Sequence, residues 1–289
     1  MGKSFAAAGR MMIKHEAPRD AASISYFSLI ALFPAILVMM AAADAFLGWV
    51  DLKETVVKLI VDLFPGSRQL LSSYPNTFPT LSTSVVVSCA VVFIWSSSWI
   101  FSFLESAINR AWEVSNQRTF WESRLRSIAF MLLGGVSLLT TAIITVVIGA
   151  IRGRAALHIP SSVRASYLIG WFWSLVLLLT GLVIAMLVFA LIFKWTPHRR
   201  VYWKEAFSGS LVFIIIWEIG SIIFVKLLPY FDYQAIYGKT GAVITLLVWV
   251  YTSNLFLLFG AHFSAQMHRT RLELSIKNSS VFSRNKPID

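Results

Sequence analysis

The sequence predicts an all-α fold: a polytopic membrane helix bundle with six transmembrane helices and both termini in the cytoplasm. Five runs of 23 or more residues contain no Asp, Glu, Lys or Arg, and about 20 residues suffice to cross a bilayer. The composition agrees, because 57% of the residues are hydrophobic and only 13% are charged, against about 25% charged in soluble domains. A soluble chain of this length would need a wettable face on each of these segments.

The six predicted spans lie near residues 21–43, 82–104, 127–151, 166–193, 206–228 and 240–267. The fifth span differs from the others because it carries Glu218 near its middle and Lys226 near its end. All six should be helices, because an open backbone in hydrocarbon would leave its polar groups without hydrogen-bond partners.

The cationic residues are divided unequally between alternate loops. Seventeen Lys and Arg residues lie on one side of the membrane, within residues 3–19, 110–126, 194–204 and 269–286. Seven lie on the other side, within residues 53–68 and 152–164 and at Lys239. The positive-inside rule therefore places both termini in the cytoplasm. This topology also accounts for the net charge of +11, which in a soluble chain would suggest a nucleic-acid partner. No nucleic-acid partner is predicted.

The predicted organisation is a cytoplasmic segment at residues 1–20, a single membrane domain at 21–268 and a basic cytoplasmic tail at 269–289, disordered at its end.

Apolar and charged residues alternate at helical spacing near residues 50–64, which predicts an outer amphipathic helix. It would lie at the outer interface or cap a cavity between spans. The single cysteine, Cys89, lies inside the second span, so no intramolecular disulfide can form.

Glu218 is the most informative polar residue inside the membrane. A carboxylate near the bilayer centre costs about 3 kcal/mol, so it should face the bundle interior or have a partner. Lys226 lies about 12 Å farther along the same helix, too far for an easy direct pair. Asn254 and His262 of the last span are the other candidates, and they lie two turns apart on one face. We predict a functional polar cluster of these four residues; the alternative is that Glu218 only ties helices together.

The first span combines small residues with a proline. Ser25, Ser28 and the neighbouring Tyr26 mark a candidate packing face, and Pro34 follows within the same span. Small residues let helices approach closely, and a proline in mid-span bends a helix. The span is therefore either a tightly packed, kinked helix or a broken helix that lines a cavity.

Enzymatic motifs are scarce. The five histidines fall in different regions of the sequence, there is no HExxH motif, and no phosphate-cradling glycine loop or GxSxG elbow is present. The acids and bases between Glu105 and Arg126 alternate in sign, which is typical of a solvated, salt-bridged helix surface. The sequence predicts no catalytic residues, no metal site and no cofactor.

Three segments resemble a known family. The stretch DAASISYFSLIALFPAIL opens the first span, AINRAWEVSNQRTFWESRLRSIAF joins the second and third, and IYGKTGAVITLLVWVYTSNLFLLFGAHFSAQ forms the last. All three resemble the bacterial YihY/BrkB membrane family, once labelled ribonuclease BN. His262 departs from the pattern, because the family commonly has Glu at this position. The resemblance implies a six-span inner-membrane protein of unsettled biochemistry, with names that point to tRNA processing and to virulence.

The leading functional hypothesis is transport or flipping of a lipid or amphiphilic envelope compound through a cavity lined by spans one, five and six. Its partners would be the lipid bilayer and this envelope compound. The first alternative is a non-catalytic envelope scaffold. The second is a ribonuclease, which would need clustered metal-binding side chains that the sequence lacks. The small-residue faces are compatible with a homo-oligomer and equally with packing inside one chain.

Overall fold

The computed structural model describes residues 2–47, 82–114, 120–156, 163–230 and 241–284. These residues form seven α-helices and a short 3-10 turn at Leu228–Tyr230, and no strand occurs among them. The helices are α1 (Gly2–Lys14), α2 (Ala17–Leu47), α3 (Thr83–Ala111), α4 (Phe120–Ala156), α5 (Val163–Trp195), α6 (Trp203–Leu227) and α7 (Gly241–Arg284). The predicted all-α fold class is confirmed.

Five of these helices are long and apolar enough to cross a membrane. Their candidate spans are Ala17–Val38, Thr83–Ala111, Trp171–Trp195, Trp203–Tyr230 and Gly241–Glu273. The helix α4 covers the third predicted span, and the apolar stretch that can be assigned in it is Ile128–Ser137. The protein is therefore a polytopic membrane helix bundle, as predicted. The predicted outer amphipathic helix near 50–64 lies outside the described residues.

The helices at both ends of the chain extend beyond the predicted membrane domain. The segment 1–20 contains α1 and the first turn of α2, and these two helices meet at a tight turn in which Glu16 has a φ of 55°. At the other end, α7 continues through the predicted tail as far as Arg284. The terminal segments are thus helical extensions of the bundle over most of their length.

The six long helices form a closed ring. Each of α2 to α6 packs against the next helix in the sequence, and α7 returns to pack against α2. The helix α7 also contacts α3, and α1 lies across α7 and α2. The connections from α3 to α4, from α4 to α5 and from α5 to α6 are only 8, 6 and 7 residues long, and short connections favour packing of neighbouring helices.

Packing is densest at one end of the ring, which we call the basic end. It contains α1, the starts of α2 and α6, the ends of α3 and α5, and α7 from about Leu258 onward, next to the cationic segments. The buried residues of α3 begin at Ser96, and those of α6 end at Ile214. Farther from the basic end, α3, α5 and α6 expose many large apolar side chains. Such a surface suits contact with lipid.

A close helix crossing joins α6 to α7. A Cβ atom at Gly209 would lie 2.8 Å from the carbonyl oxygen of Gly260 and 2.7 Å from Cβ of Ser264. A Cβ atom at Gly260 would lie 2.8 Å from the carbonyl oxygen of Gly209. The two backbones are therefore in contact, which only residues without a side chain permit.

Candidate functional site

Glu205 is the centre of a buried polar network at the basic end. It lies in the first turn of α6 and is 3% exposed. Its carboxylate accepts hydrogen bonds from the backbone N–H of Tyr202 at 3.0 Å and from Nδ1 of His268 at 2.9 Å, and the guanidinium of Arg271 lies 3.8 Å away. Its backbone carbonyl accepts a hydrogen bond from the hydroxyl of Ser264 at 2.9 Å. An acidic side chain here complements the positive end of the helix dipole and ties α6 to α7.

The ring of His268 is enclosed by aromatic side chains. Its centroid lies 5.3 Å from that of Trp112 and 6.4 Å from that of Tyr202, and it is nearly parallel to the tyrosine ring. The guanidinium of Arg271 lies over the Tyr202 ring, 4.7 Å from its centroid. Because Nδ1 faces a carboxylate, that nitrogen carries the proton that it donates. The position and orientation of His268 are thus determined by two other segments of the chain, the end of α3 and the start of α6.

A second polar group surrounds His15, in the turn between α1 and α2. Its Nε2 lies 3.6 Å from the carboxylate of Glu113, which Arg269 of α7 also contacts at 3.2 Å. The ring of His262 lies 5.6 Å from that of His15, centroid to centroid. Burial lowers the pKa of His15 below its usual 6.5; the charge of Glu113 opposes this effect, and that of Arg269 adds to it. His15 is therefore neutral near pH 7.

A third polar group joins the end of α3 to the segment between α5 and α6. The side-chain carbonyl of Asn109 accepts a hydrogen bond from the backbone N–H of His198 at 3.0 Å and lies 3.0 Å from Nδ1 of the same residue. The other ring nitrogen of His198 is 3.9 Å from the carboxylate of Glu105, and both side chains are nearly buried. Glu105 is therefore not part of a solvated helix surface, contrary to the prediction, because its helix end is packed under the α5–α6 connection.

A cleft of about 470 Å³ opens at the basic end, between the α1–α2 turn and the end of α3. Asp20, whose side chain is 11% exposed, forms a salt bridge there with Arg110, whose side chain is 47% exposed. The other charged residues that line the cleft are Lys14, Glu16 and Arg19, and Phe103 forms part of its apolar wall. The cleft is thus polar, and it lies beside the first two membrane spans.

The structure places the four residues of the predicted intramembrane cluster in different surroundings. Asn254 of α7 donates a hydrogen bond to the hydroxyl of Ser25 in α2 at 2.9 Å. His262 is 3% exposed and belongs to the basic end, where its Nδ1–H donates to a backbone carbonyl of its own helix. Glu218 is half-buried and Lys226 exposed on α6, and neither has a hydrogen bond or ion pair with another residue that the structure describes. A functional role for Glu218 stays a prediction.

The residues of the candidate packing face of the first span also lie in different surroundings. The hydroxyls of Ser25 and Ser28 both donate to carbonyls of their own helix, but only Ser25, which is 1% exposed, also accepts a hydrogen bond from Asn254. Tyr26 is 59% exposed and therefore lies outside the packed face, because it is rotated by about 100° from Ser25 on a helix with 3.6 residues per turn. The helix α2 continues through Pro34 without a break.

The hydrogen bond between Asn254 and Ser25 can be tested with a double-mutant cycle of Asn254→Ala and Ser25→Ala. We expect a coupling energy of about 0.6 kcal/mol, the usual size for a hydrogen bond between transmembrane helices. The measurement is unfolding by SDS in mixed micelles. Ser28→Ala combined with Asn254→Ala is the matched control and should show no coupling, because Ser28 bonds within α2. Equal coupling in both cycles would contradict the contact.

The sequence did not indicate the polar network at the basic end. The histidines lie in different regions of the sequence, and the structure brings four of them to this end: His15, His198, His262 and His268. The partners are far apart in sequence: 63 residues separate Glu205 from His268, and 89 separate Asn109 from His198. One local signal was available. Glu205 lies three residues after Tyr202, the residue that precedes α6, and an acid at this position is typical of a helix start.

Comparison with known proteins establishes the family. The model of the family described as virulence factor BrkB matches residues 8–281. The chain belongs to the BrkB family. It is 26% identical over 260 residues to the ribonuclease-like protein YfkH of Bacillus subtilis, covering 89% of this chain and 92% of that protein. It is 27% identical over 256 residues to the UPF0761 membrane protein IL2447 of Idiomarina loihiensis, covering 88% and 86%.

Another BrkB-family relative is longer. The UPF0761 membrane protein PA0951 of Pseudomonas aeruginosa is 25% identical over 272 residues, which are 90% of this chain but 61% of that protein. No solved structure matches the chain. The resemblance seen in the sequence is thereby confirmed, and the family is one of membrane proteins.

Many hydrolytic enzymes act through a bound metal centre. Such a centre needs several His, Cys, Asp or Glu side chains around one point. No group of three or more of these side chains is placed to hold a metal ion within the described ranges. The acids and histidines of the basic end instead pair with each other or with arginines.

Proposed function

We propose that this protein moves a lipid or another amphiphilic envelope compound across the bacterial cytoplasmic membrane, and that the basic end of the helix ring is its cytoplasmic gate. The observation that carries the proposal is the polar network of the basic end, which links α2, α3, α6, α7 and the connections beside them through contacts that range from buried to half-exposed. Its main contacts are Glu205 with His268, Asn109 with His198, Asp20 with Arg110, and Glu113 with His15 and Arg269. The cytoplasmic location follows from the positive-inside rule.

Buried polar contacts stabilise a helix bundle less than apolar packing does. Burying charged and polar groups costs free energy that their mutual contacts only partly offset. The crossing of Gly209 and Gly260 shows that this chain can also pack helices without polar groups. Pairs that can break and re-form suit a layer that alternates between two discrete arrangements, as the gates of transporters do.

The closed ring of helices is a second observation that supports the proposal. Six helices that pack in sequence, with the last returning to the first, can surround a path through the membrane. On α3 and α6, packing is dense at the basic end and sparser beyond Ser96 and Ile214, whereas α7 is also buried near its start, from Ala242 to Val250. Glu218 lies just beyond that dense layer on α6, where a carboxylate is costly. We assign Glu218 to the translocation path.

The proposal is tested by reconstituting the purified protein into liposomes that contain a fluorescent phosphatidylglycerol. Transfer of this lipid between leaflets is measured by chemical bleaching of the outer leaflet. We expect faster transfer than in protein-free vesicles and a loss of at least half of that rate in Glu218→Gln. Glu122→Gln, at an exposed position of α4, is the matched control. Transfer no faster than in empty vesicles, for this and for other envelope lipids, would count against transport.

Two other functions make different predictions. An envelope scaffold would tolerate substitution of Glu218 and His262 but not changes in the basic cytoplasmic segments, which a growth assay under envelope stress would distinguish. A ribonuclease, as the name of the Bacillus subtilis relative suggests, would cleave RNA in a metal-dependent assay after rigorous purification. The described residues supply no grouped metal ligands for that reaction.

A further inference from the structure

We propose that the cleft at the basic end binds the phosphate-bearing headgroup of an anionic membrane lipid, and that the hydrocarbon chain of this lipid lies along an aromatic strip on α2 and α3. The aromatic strip consists of Phe27, Trp95, Trp99 and Phe103. This inference rests on the proposed function, because it names the class of substrate that enters the gate. Binding can nevertheless be measured without any transport.

The charges of the cleft favour an anion. Lys14, Arg19 and Arg110 line it, together with the two carboxylates of Glu16 and Asp20. The side chains of Arg19 and Glu16 are 82% and 68% exposed, and their pair at 3.2 Å joins residues of the same turn. Exposed pairs of this kind contribute little free energy, so a phosphate can replace the carboxylate at little cost.

The salt bridge between Asp20 and Arg110 leaves further donors available. Asp20 is nearly buried, whereas the guanidinium of Arg110 is half-exposed at the wall of the cleft. A guanidinium has five N–H donors, and its planar arrangement matches phosphate oxygens. Arg110 can therefore keep Asp20 and still donate to a headgroup, while Lys14 at the end of α1 supplies a third cation.

The backbone of the α1–α2 turn holds these cations together. Glu16 adopts a left-handed conformation with a φ of 55°, which is uncommon for residues other than glycine. The turn changes the direction of the chain between α1 and α2, and Lys14 at the end of α1 and Arg19 in the first turn of α2 line the same cleft. The cleft is therefore built by a specific local geometry as well as by its side chains.

The aromatic strip begins where the cleft ends. Phe103 belongs to both, since it lines the cleft and its ring stacks on Phe27 at 5.6 Å, centroid to centroid. The Phe27 ring also stacks on Trp99 at 5.9 Å and meets Trp95 edge to face at 6.1 Å. From Phe103 to Trp95 the strip runs about 12 Å along α3, at 1.5 Å per residue.

The aromatic strip is accessible from the lipid. Trp95 is 54% exposed and Trp99 36% exposed. An ordinary aromatic belt lies at the level of the headgroups, but this strip descends along the helix axis into the hydrocarbon. A polar cleft continuous with an apolar path matches one molecule that has an anionic head and a hydrocarbon tail.

The test uses the full-length protein in detergent micelles and phosphatidic acid with brominated acyl chains, whose bromine atoms quench tryptophan fluorescence on contact. The double variant K14Q/R19Q is expected to raise the dissociation constant about thirtyfold, because each of the two cations near an anionic lipid contributes about 1 kcal/mol. The double variant R199Q/R200Q is the matched control. It removes two exposed cations from the basic end outside the cleft and should leave binding unchanged.

The tail contact has its own variant. Trp95→Leu should remove most of the quenching that wild-type protein shows with brominated phosphatidic acid. Trp171→Leu is the control, because Trp171 of α5 is even more exposed than Trp95 but lies outside the strip, and most of that quenching should remain. Brominated phosphatidylcholine is the headgroup control and should bind at least tenfold more weakly. Sodium phosphate alone should compete only at much higher concentrations.

Three results would overturn the inference. The first is unchanged binding in K14Q/R19Q while the variant unfolds like the wild type. The second is equal quenching by phosphatidylcholine, which would mean that lipid contact is unselective. The third is competition by sodium phosphate as effective as that by phosphatidic acid, which would mean that the tail contributes nothing. Selective binding without lipid transfer in liposomes would instead refute transport and leave this lipid site in place.

Discussion

Gly260→Ala is expected to lower the free energy of unfolding by about 2 kcal/mol, within the range for overpacking a close contact, and Gly260→Leu to prevent the membrane domain from folding. The added Cβ would lie 2.8 Å from the Gly209 carbonyl oxygen and 2.8 Å from Cβ of Phe213. Neither atom can move away by a side-chain rotation. The helices α6 and α7 would have to separate, which would also disturb the contact of Ser264 with Glu205.

Unfolding by SDS in mixed micelles, followed by near-ultraviolet circular dichroism, measures this effect. Gly181→Ala is the matched control, because a Cβ at Gly181 of α5 meets nothing within 4 Å. Its stability should stay the same or rise slightly, since alanine is the better helix former. Equal stability of Gly260→Ala and Gly181→Ala would show that the two helix backbones are not in contact.

Glu205→Ala is expected to lower the free energy of unfolding by about 3 kcal/mol, because each buried hydrogen-bonding group that loses its partner costs about 1–3 kcal/mol. The loss leaves the ring of His268 and the N–H of Tyr202 without their acceptor in a layer where Glu205 itself is 3% exposed. Glu205→Gln should cost less, because its amide oxygen can still accept from Tyr202.

Glu122→Ala separates the buried contact from the general effect of an acid near a helix start. Glu122 lies in the first turn of α4, as Glu205 does in α6, but it is exposed. The same SDS titration should show a change of only about 0.5 kcal/mol for this control. A double-mutant cycle of Glu205→Ala with His268→Ala should show strong non-additivity. Additive losses would rule out a direct interaction of the two side chains.

The contrast between Glu218 and Glu205 shows why the sequence indicated one acid and not the other. Glu218 interrupts an apolar run, so it is conspicuous to any reader of the sequence. Glu205 follows Lys204 at the edge of a span and resembles a solvated loop residue. The structure shows the reverse order of burial: Glu205 is buried, and Glu218 is half-buried. Hydropathy marks where a charge meets lipid but not where it meets other helices.

The same limit applies to the histidines and to Arg110. Their partners lie on other helices, and Asp20 and Arg110 are separated by 90 residues in the sequence. Local patterns report on a residue and its neighbours within about two turns. A pair formed by the end of one helix and the start of another depends on which helices are adjacent in the ring, and no local pattern contains that information.

The amino-acid sequence by itself determined that this chain is a membrane helix bundle and, through three matching segments, the family to which it belongs. Charge-free runs suffice for this conclusion because the cost of exposing charge or open backbone to hydrocarbon acts on each segment independently. Only the tertiary structure decided that the ring closes through α7 onto α2, that four histidines meet at one end, and that a charged cleft continues into an aromatic strip. These features arise from contacts between distant segments, and such contacts exist only once the helices have packed.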